Sequence, residues 1–131
     1  MNAMHWPALV TLAALTLCFT NALMVGNARV KYKIKAPATT GHEMFERAYR
    51  VQMNTLENTV IFLPALWLGA GFFSAWIASA LGVVWLVGRL WYAAAYVRDP
   101  KTRGTGFGLA YAAWGGLMLV AAWGVIRGLL A

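Results

Sequence analysis

The segment HEMFERAYRVQMNTLENTVIFLPALWLGAGFF, residues 42–73, decides the fold, because it joins a charged half to an apolar half. After Glu57 the segment has no acidic or basic residue, as expected of a helix that enters a membrane. The charged half is too polar to face lipid, so it is predicted to face other helices. Pro64 lies in the apolar half and should kink the helix or loosen its hydrogen bonding, which membrane bundles accommodate.

Three more apolar stretches surround this segment, and composition supports a membrane protein. Hydrophobic residues make up 61% of the chain and charged residues 11%, against about half and about a quarter in soluble domains. A spanning helix needs about 20 residues or more, so four of them with their short connections nearly exhaust 131 residues. We therefore predict one domain over residues 1–131, an all-α integral membrane up-down four-helix bundle. The predicted helices cover about residues 6–29, 42–73, 77–98 and 105–129.

The net charge of +7 is concentrated at the ends of the apolar stretches. Lys and Arg cluster between Arg29 and Arg50 and between Arg89 and Arg103. This distribution follows the positive-inside rule and not the basic face of a nucleic-acid-binding protein. The loops after the first and third helices should therefore be cytoplasmic, with both termini on the other side. The same cations could also attract an anionic ligand.

A polar stripe runs along the second predicted helix. Its members are three or four residues apart and share one helix face: Glu43, Glu46, Arg47, Arg50, Asn54 and Glu57. Glu43–Arg47 and Glu46–Arg50 have the favourable i,i+4 order of ion pairs. For the surface members Glu43, Glu46 and Arg47 we favour interhelical salt bridges that fix the bundle. For Arg50, Asn54 and Glu57 we favour a functional site, because polar groups deep in a membrane are expensive.

The third helix carries a second stripe, with Arg89, Tyr92 and Tyr96 spaced three and four apart and Trp85 one turn earlier. Such tyrosines form either an aromatic belt at the membrane surface or the wall of a site inside the bundle. Together with Arg103, the two stripes predict a site near the cytoplasmic surface. That site suits a small zwitterion with more than one carboxylate, and the membrane could deliver an apolar second substrate.

Several other chemistries find no support in the sequence. The only histidines are His5 and His42, so neither a Ser-His-acid arrangement nor a histidine metal cluster is expected. No phosphate-binding glycine loop is present, and the glycines are more typical of close helix packing. The single cysteine, Cys18, lies in the first apolar stretch and is expected to be a small buried side chain.

Two motifs resemble the membrane-associated proteins in eicosanoid and glutathione metabolism. The first is FERAYRVQMNTLENTVIFLPALW, residues 45–67, with the pattern E-R-x-x-R-x-Q-x-N-x-x-E before an apolar run. The second is GRLWYAAAYVRDPKTRGTGF, residues 88–107, and the basic segment from Asn27 to Gly41 also fits. The resemblance covers nearly the whole chain. It implies a homotrimer with glutathione as co-substrate between neighbouring subunits.

Carried over by motif position, the resemblance implies a set of site residues. Arg103 matches the arginine that stabilises the glutathione thiolate, the form that attacks an electrophile or reduces a peroxide. The implied glutathione-binding residues are Arg29, Arg50, Gln52, Asn54, Glu57, Tyr92 and Tyr96. No metal is implied. Partners would be glutathione, a hydrophobic electrophile or lipid hydroperoxide, and membrane lipid.

One position departs from the family pattern. Asn58 follows Glu57, where the eicosanoid-making members usually carry tyrosine. This argues against leukotriene synthesis and makes the chain more similar to bacterial members, which implies a bacterial inner membrane. The leading hypothesis is thus a membrane glutathione transferase, with peroxidase activity as an extension.

Two alternatives remain open. The first is a non-catalytic lipid-binding or scaffold member of the same family, against which the presence of Arg103 argues. The second is a small multidrug transporter of similar length. Such exporters depend on a carboxylate in the first helix, and the first predicted helix here has no acidic residue.

Overall fold

The computed structural model describes residues 2–131, and within this range the chain forms four long helices and no strand. The helices are α1 (His5–Tyr32), α2 (Glu43–Phe72), α3 (Ala75–Arg98) and α4 (Gly104–Leu130), with a short 3-10 helix at Pro100–Thr102 before α4. Short connections make successive helices antiparallel. The prediction of an all-α up-down four-helix bundle is confirmed.

Helix α1 ends at Tyr32, later than the predicted end near residue 29. Lys33 adopts a left-handed conformation with φ 57°, and the amide of Ile34 donates to the Arg29 carbonyl oxygen at 3.0 Å. This geometry closes the last turn as a typical helix C-cap does. The basic connection therefore spans only residues 33–42, and the first predicted loop residues belong to the helix.

Helix α2 begins where His42 caps it, since a ring nitrogen of His42 accepts a hydrogen bond from the Met44 amide at 3.1 Å. At the opposite end of the bundle, Ser74 caps α3 by accepting from the amide of Ile77 at 3.3 Å. Helix α3 thus starts at Ala75, slightly before the predicted start. These caps satisfy amides that a helix start leaves without a partner.

The outer surface of the bundle is apolar. Helices α1 and α3 and the Pro100–Leu130 segment are long and apolar enough to cross a membrane. Helix α2 does not meet this criterion because of its charged half, although its second half is apolar. Large side chains such as Leu12, Phe19 and Leu119 are mostly exposed, which suits contact with lipid rather than water.

The core lies at the centre of the four helices, where Phe62 of α2 stacks on Trp85 of α3 with ring centroids 3.8 Å apart. Small and branched residues of the other helices, including Ala14 and Leu117, complete the core. Trp85 therefore belongs to the interior, and the stripe of α3 that it begins faces the bundle.

Pro64 lies within α2, which continues through it to Phe72. A proline has no amide hydrogen and disturbs the hydrogen bonding of the preceding turn. The indole nitrogen of Trp114 in α4 donates to the carbonyl oxygen of Ile61 at 3.0 Å, just before the proline. Pro64 removes the usual i→i−4 donor to the Val60 carbonyl oxygen. Because backbone groups in a membrane need partners inside the protein, Trp114 supports this turn by donating to the next carbonyl along, that of Ile61.

Helices α3 and α4 cross in backbone contact at two glycines. A Cβ on Gly88 would lie 2.7 Å from the amide nitrogen of Ala110, and a Cβ on Gly106 would lie 2.5 Å from that of Tyr92. Real side chains do not approach backbone atoms so closely, so both positions require glycine. The crossing holds the start of α4 directly against the turn of α3 that carries Tyr92.

Arg47 joins α2 to the end of α3. Its Nη1 donates to the carbonyl oxygens of Val97 at 2.9 Å and Arg98 at 3.1 Å, while its Nη2 pairs with Glu43. The predicted Glu43–Arg47 pair is therefore present. In addition, the guanidinium caps carbonyls that the end of a helix leaves without partners.

Candidate functional site

A cavity of about 480 Å³ opens at the basic end of the bundle, between α2, α3 and the start of α4. Polar and aromatic side chains share its lining: Arg50, Asn54, Tyr92, Tyr96, Arg103, Gly104 and Phe107. The first five of these are predicted site residues. A single chain brings them together, so one subunit alone contributes both the α2 wall and the α3–α4 wall.

Helix α2 contributes Arg50 and Asn54, which lie about one turn apart on the same face. Arg50 is about half exposed, and its Nη1 lies 3.7 Å from Oε1 of Glu57. The predicted Glu46–Arg50 pair is wrong, because Arg50 reaches along the helix to Glu57 instead. Glu57 is two turns deeper, where a carboxylate has more need of a partner.

Helix α3 contributes an aromatic wall. Tyr92 is 2% exposed, and its ring centroid lies 5.6 Å from that of Tyr96 and 5.9 Å from that of Phe107. The Gly106 crossing places Phe107 against Tyr92. Tyr92 thus faces the interior and the cavity, and it does not belong to an aromatic belt in contact with lipid.

Arg103 lies at the junction of the 3-10 helix and α4, at the mouth of the cavity. Its Nη1 donates to the Pro100 carbonyl oxygen at 2.9 Å, and its guanidinium carbon lies 5.8 Å from the centroid of the Tyr96 ring. These contacts hold the cation over an aromatic ring. The remaining guanidinium donors are free to approach an anion in the cavity.

Arg89 is a functional candidate that the predicted site residues did not include. It is fully buried, at 0% exposure. Its Nη2 donates to Oδ1 of Asn54 at 2.7 Å and to Oγ1 of Thr55 at 2.8 Å, and its guanidinium lies 4.3 Å from the Tyr92 ring centroid. The signal was present in the sequence, since an arginine inside an apolar run shares a stripe with Tyr92 and Tyr96.

Three predicted site residues lie outside the cavity lining: Arg29, Gln52 and Glu57. Arg29 packs on the ring of Phe45 at 4.8 Å and donates to the Ala38 carbonyl oxygen at 2.7 Å. Gln52 is partly exposed on α2. Glu57 reaches the cavity only through Arg50. These residues of one chain do not surround the cavity together with the other five.

The arrangement is suited to an anionic ligand with hydrogen-bonding groups. Two guanidinium groups, Arg50 and Arg103, flank a space that also presents phenol and amide groups. Arginine binds carboxylates and other anions through several directed donors. Among residues 2–131 no group of three or more His, Cys, Asp or Glu could hold a metal ion.

Known proteins are similar to this chain over most of its length. An uncharacterized protein of Synechocystis sp. is 50% identical over 104 residues, covering 79% of this chain and 76% of that protein. The human microsomal glutathione S-transferase 2 is 40% identical over 109 residues, covering 83% of this chain and 74% of that protein. The bovine leukotriene C4 synthase is 38% identical over 96 residues, covering 73% of this chain and 64% of that protein.

A sequence profile extends this similarity to the family level. The profile of the MAPEG family, the membrane-associated proteins in eicosanoid and glutathione metabolism, matches residues 7–123. This range includes all of α2 and α3, most of α1 and α4, the cavity and both motifs. The family predicted from those motifs is confirmed. With its apolar helices, the chain is an integral membrane protein, and it belongs to the MAPEG family.

Proposed function

We propose that this protein is a membrane glutathione transferase that activates the glutathione thiolate for attack on a hydrophobic electrophile. The observation that carries the proposal is the cavity that one chain builds from Arg50, Asn54, Tyr92, Tyr96 and Arg103. The similarity to a microsomal glutathione S-transferase over most of the chain supports the same activity. We further propose that residues 1–131 act as a single domain.

Arg103 is the proposed catalytic residue. A free thiol has a pKa of about 8.5 and is mostly protonated at neutral pH, and a neighbouring cation favours the thiolate. In the proposed reaction the thiol proton leaves to solvent, and the Arg103 guanidinium stabilises the sulfur anion. The sulfur then forms a bond to the electrophilic carbon, whose leaving group departs with the bonding electrons.

The charges around the cavity match the charges of glutathione. The tripeptide has two carboxylates and one ammonium group. Arg50 is the proposed carboxylate partner, while Glu57, 3.7 Å from Arg50, supplies a carboxylate for the ammonium group. Tyr92 and Tyr96 provide the aromatic wall and Asn54 a directed amide. The electrophile would enter from the surrounding lipid.

The same thiolate could also act on lipid hydroperoxides. Its sulfur would attack the outer peroxide oxygen, break the O–O bond and release an alcohol. A second glutathione would then react with the oxidised sulfur to give glutathione disulfide and water. This peroxidase activity needs no residue beyond those proposed for the transferase.

We propose a homotrimer as the functional form. Arg50 and Glu57 are 51% and 55% exposed in the single chain, and charges facing lipid are unfavourable. A neighbouring copy would cover them and could bring its own Arg29 and Gln52 to the cavity. Native mass spectrometry of the detergent-solubilised protein should show three copies, whereas a monomer that retains full activity would contradict this assembly.

We propose the bacterial inner membrane as the location, with the basic loops cytoplasmic. The loop of residues 33–42 and the 3-10 helix lie at the same end of the bundle and carry Lys33, Lys35 and Lys101. The opposite end has the uncharged connection at residues 73–74 and both chain termini, and Arg127 is the one Lys or Arg near them. The positive-inside rule places the basic end in the cytoplasm, and the similarity to a Synechocystis protein supports a bacterial setting.

The decisive experiment is a spectroscopic and kinetic assay of the purified protein. Glutathione added at neutral pH should produce thiolate absorbance in the ultraviolet, and a model aromatic electrophile should be conjugated. Arg103→Ala should reduce thiolate formation more than glutathione binding. A different result would favour a non-catalytic member of the family. In that case glutathione would bind saturably, but no thiolate absorbance would appear and none of many tested electrophiles and peroxides would be converted.

A further inference from the structure

We propose that Arg89 is a positioning residue that makes Asn54 a hydrogen-bond donor toward the glutathione cavity. This inference rests on the proposed function, and it assigns a role to a buried arginine outside the cavity lining. Asn54 lines the cavity, and Arg89 lies behind it in the interior of the bundle. Their contact is a hydrogen bond of 2.7 Å.

The chemistry of arginine assigns the two ends of the Asn54 amide. A guanidinium group has five N–H donors and no acceptor. The amide atom that lies 2.7 Å from Arg89 Nη2 must therefore be the oxygen and not the nitrogen. Thr55 accepts a second hydrogen bond from the same nitrogen, at 2.8 Å.

Asn58 reinforces this orientation from the next turn of α2. Its Nδ2 donates to the backbone oxygen of Asn54 at 2.8 Å and lies 3.3 Å from Oδ1 of the same residue. The Asn54 amide oxygen thus faces two donors inside the bundle. The amide nitrogen donates to no group among residues 2–131 and is not enclosed. It is left to face the cavity.

A donor at this position selects a particular part of the ligand. The Asn54 amide can bind a carboxylate or a peptide carbonyl oxygen of glutathione, but it repels the ammonium group. Without Arg89, the amide could rotate by about 180° and present its oxygen to the cavity, because the two ends of an amide have nearly the same shape. Binding would then lose a hydrogen bond and gain an unfavourable contact.

A purely structural role does not explain the choice of arginine. A buried charge is costly unless it is paired, and Arg89 pairs with no carboxylate among residues 2–131. Its Nε and Nη1 have no hydrogen-bond partner in that range. An apolar side chain could fill the same space at lower cost. Because arginine can only donate hydrogen bonds, it always binds the oxygen end of the Asn54 amide. A neutral amide or hydroxyl group in its place could accept as well as donate, and would not fix this orientation.

A double-mutant cycle on glutathione affinity tests the inference in the detergent-solubilised, full-length protein. We expect Arg89→Met and Asn54→Ala each to raise the glutathione Kd about tenfold, the loss typical of one charge-supported hydrogen bond. The double variant should be no weaker than either single variant, because Arg89 acts through Asn54. Thr55→Val is the matched control, since it removes the other hydrogen bond of Arg89 and should change the Kd less than about twofold.

Two conservative variants provide readouts that a structural role would not produce. Arg89→Lys also only donates, so it should recover most of the affinity lost in Arg89→Met. Asn54→Asp keeps an oxygen for Arg89 but presents only oxygen to the cavity, so it should bind glutathione no better than Asn54→Ala. Affinity losses that add in the double variant, or tight binding by Asn54→Asp, would overturn the positioning role while the proposed function stands. Absence of glutathione binding in the unsubstituted protein would overturn both.

Discussion

Gly106 of α4 lies against the backbone of Tyr92 in α3, so closely that a Cβ at position 106 would be 2.5 Å from the Tyr92 amide nitrogen. This contact brings α3 and α4 together beside the cavity. Tyr92 and Phe107, the residue that follows Gly106, both line it, with ring centroids 5.9 Å apart. The distance between α3 and α4 therefore sets the position of the aromatic wall relative to Arg103.

The first prediction concerns this crossing. Gly106→Ala should force α4 away from α3, lower the unfolding free energy by about 1–3 kcal/mol and weaken glutathione binding. Gly108→Ala is the control, because a Cβ there meets no atom within 4 Å. Thermal unfolding and calorimetric titration check both effects. Equal behaviour of the two variants would show that the helix contact does not shape the cavity.

The second prediction concerns pH dependence. If Arg103 stabilises the thiolate, Arg103→Ala raises the pKa of bound glutathione toward about 8.5. The thiolate fraction is then small at pH 7 and recovers as the pH rises through that value. Conjugation by the variant should be about tenfold slower at pH 7, and the deficit should shrink by about pH 9. Lys101→Ala, an exposed cation outside the cavity, should leave the pH–rate profile unchanged.

The third prediction concerns the cap on α3. Arg47→Met removes hydrogen bonds to the carbonyl oxygens of Val97 and Arg98. The expected loss is about 1–3 kcal/mol, since these acceptors would lose charged donors. Glu43→Gln should change stability by less than about 1 kcal/mol, because the Glu43 side chain is 74% exposed. Unfolding curves in detergent distinguish the two, and an unchanged melting temperature for Arg47→Met would rule out the capping role.

The fourth prediction concerns the proline in α2. Trp114→Phe keeps an aromatic ring but removes the donor to the Ile61 carbonyl oxygen. We expect a loss of about 1 kcal/mol, typical of a hydrogen bond within a membrane bundle. Trp123→Phe is the comparison, since Trp123 is exposed on the outer surface. If both variants have the same melting temperature as the unsubstituted protein, the Trp114 hydrogen bond does not support the helix around Pro64.

The fifth prediction concerns orientation in the membrane. In a Cys18→Ser background, Lys35→Cys and Ser74→Cys place single thiols at opposite ends of the bundle. On intact bacterial cells with a permeable outer membrane, an impermeant maleimide should label position 74 and not position 35. Permeabilising the inner membrane should expose position 35. The reverse pattern would invert the proposed topology.

The sequence alone determined the helices and the polar residues that they carry. Apolar runs of about 20 residues, separated by short turns of which two are basic, are typical of membrane helices. Local spacing also placed Arg50 and Asn54 on one face of α2, and Tyr92 and Tyr96 on one face of α3. These are properties of a single helix, for which periodicity is sufficient.

Only the tertiary structure decided which faces meet. Helical spacing indicates that Glu46 and Glu57 are both within reach of Arg50, but the choice of Glu57 depends on how the side chain lies against the bundle. In the same way, the contact of Arg89 with Asn54 joins residues 35 positions apart and depends on the packing of α2 against α3. The charged stripe of α2 therefore divides into two parts. Asn54 is turned inward to Arg89, whereas Arg50 and Glu57 lie at the exposed edge. Periodicity within one helix indicates which of its faces is buried, but not which residue of a neighbouring helix that face meets.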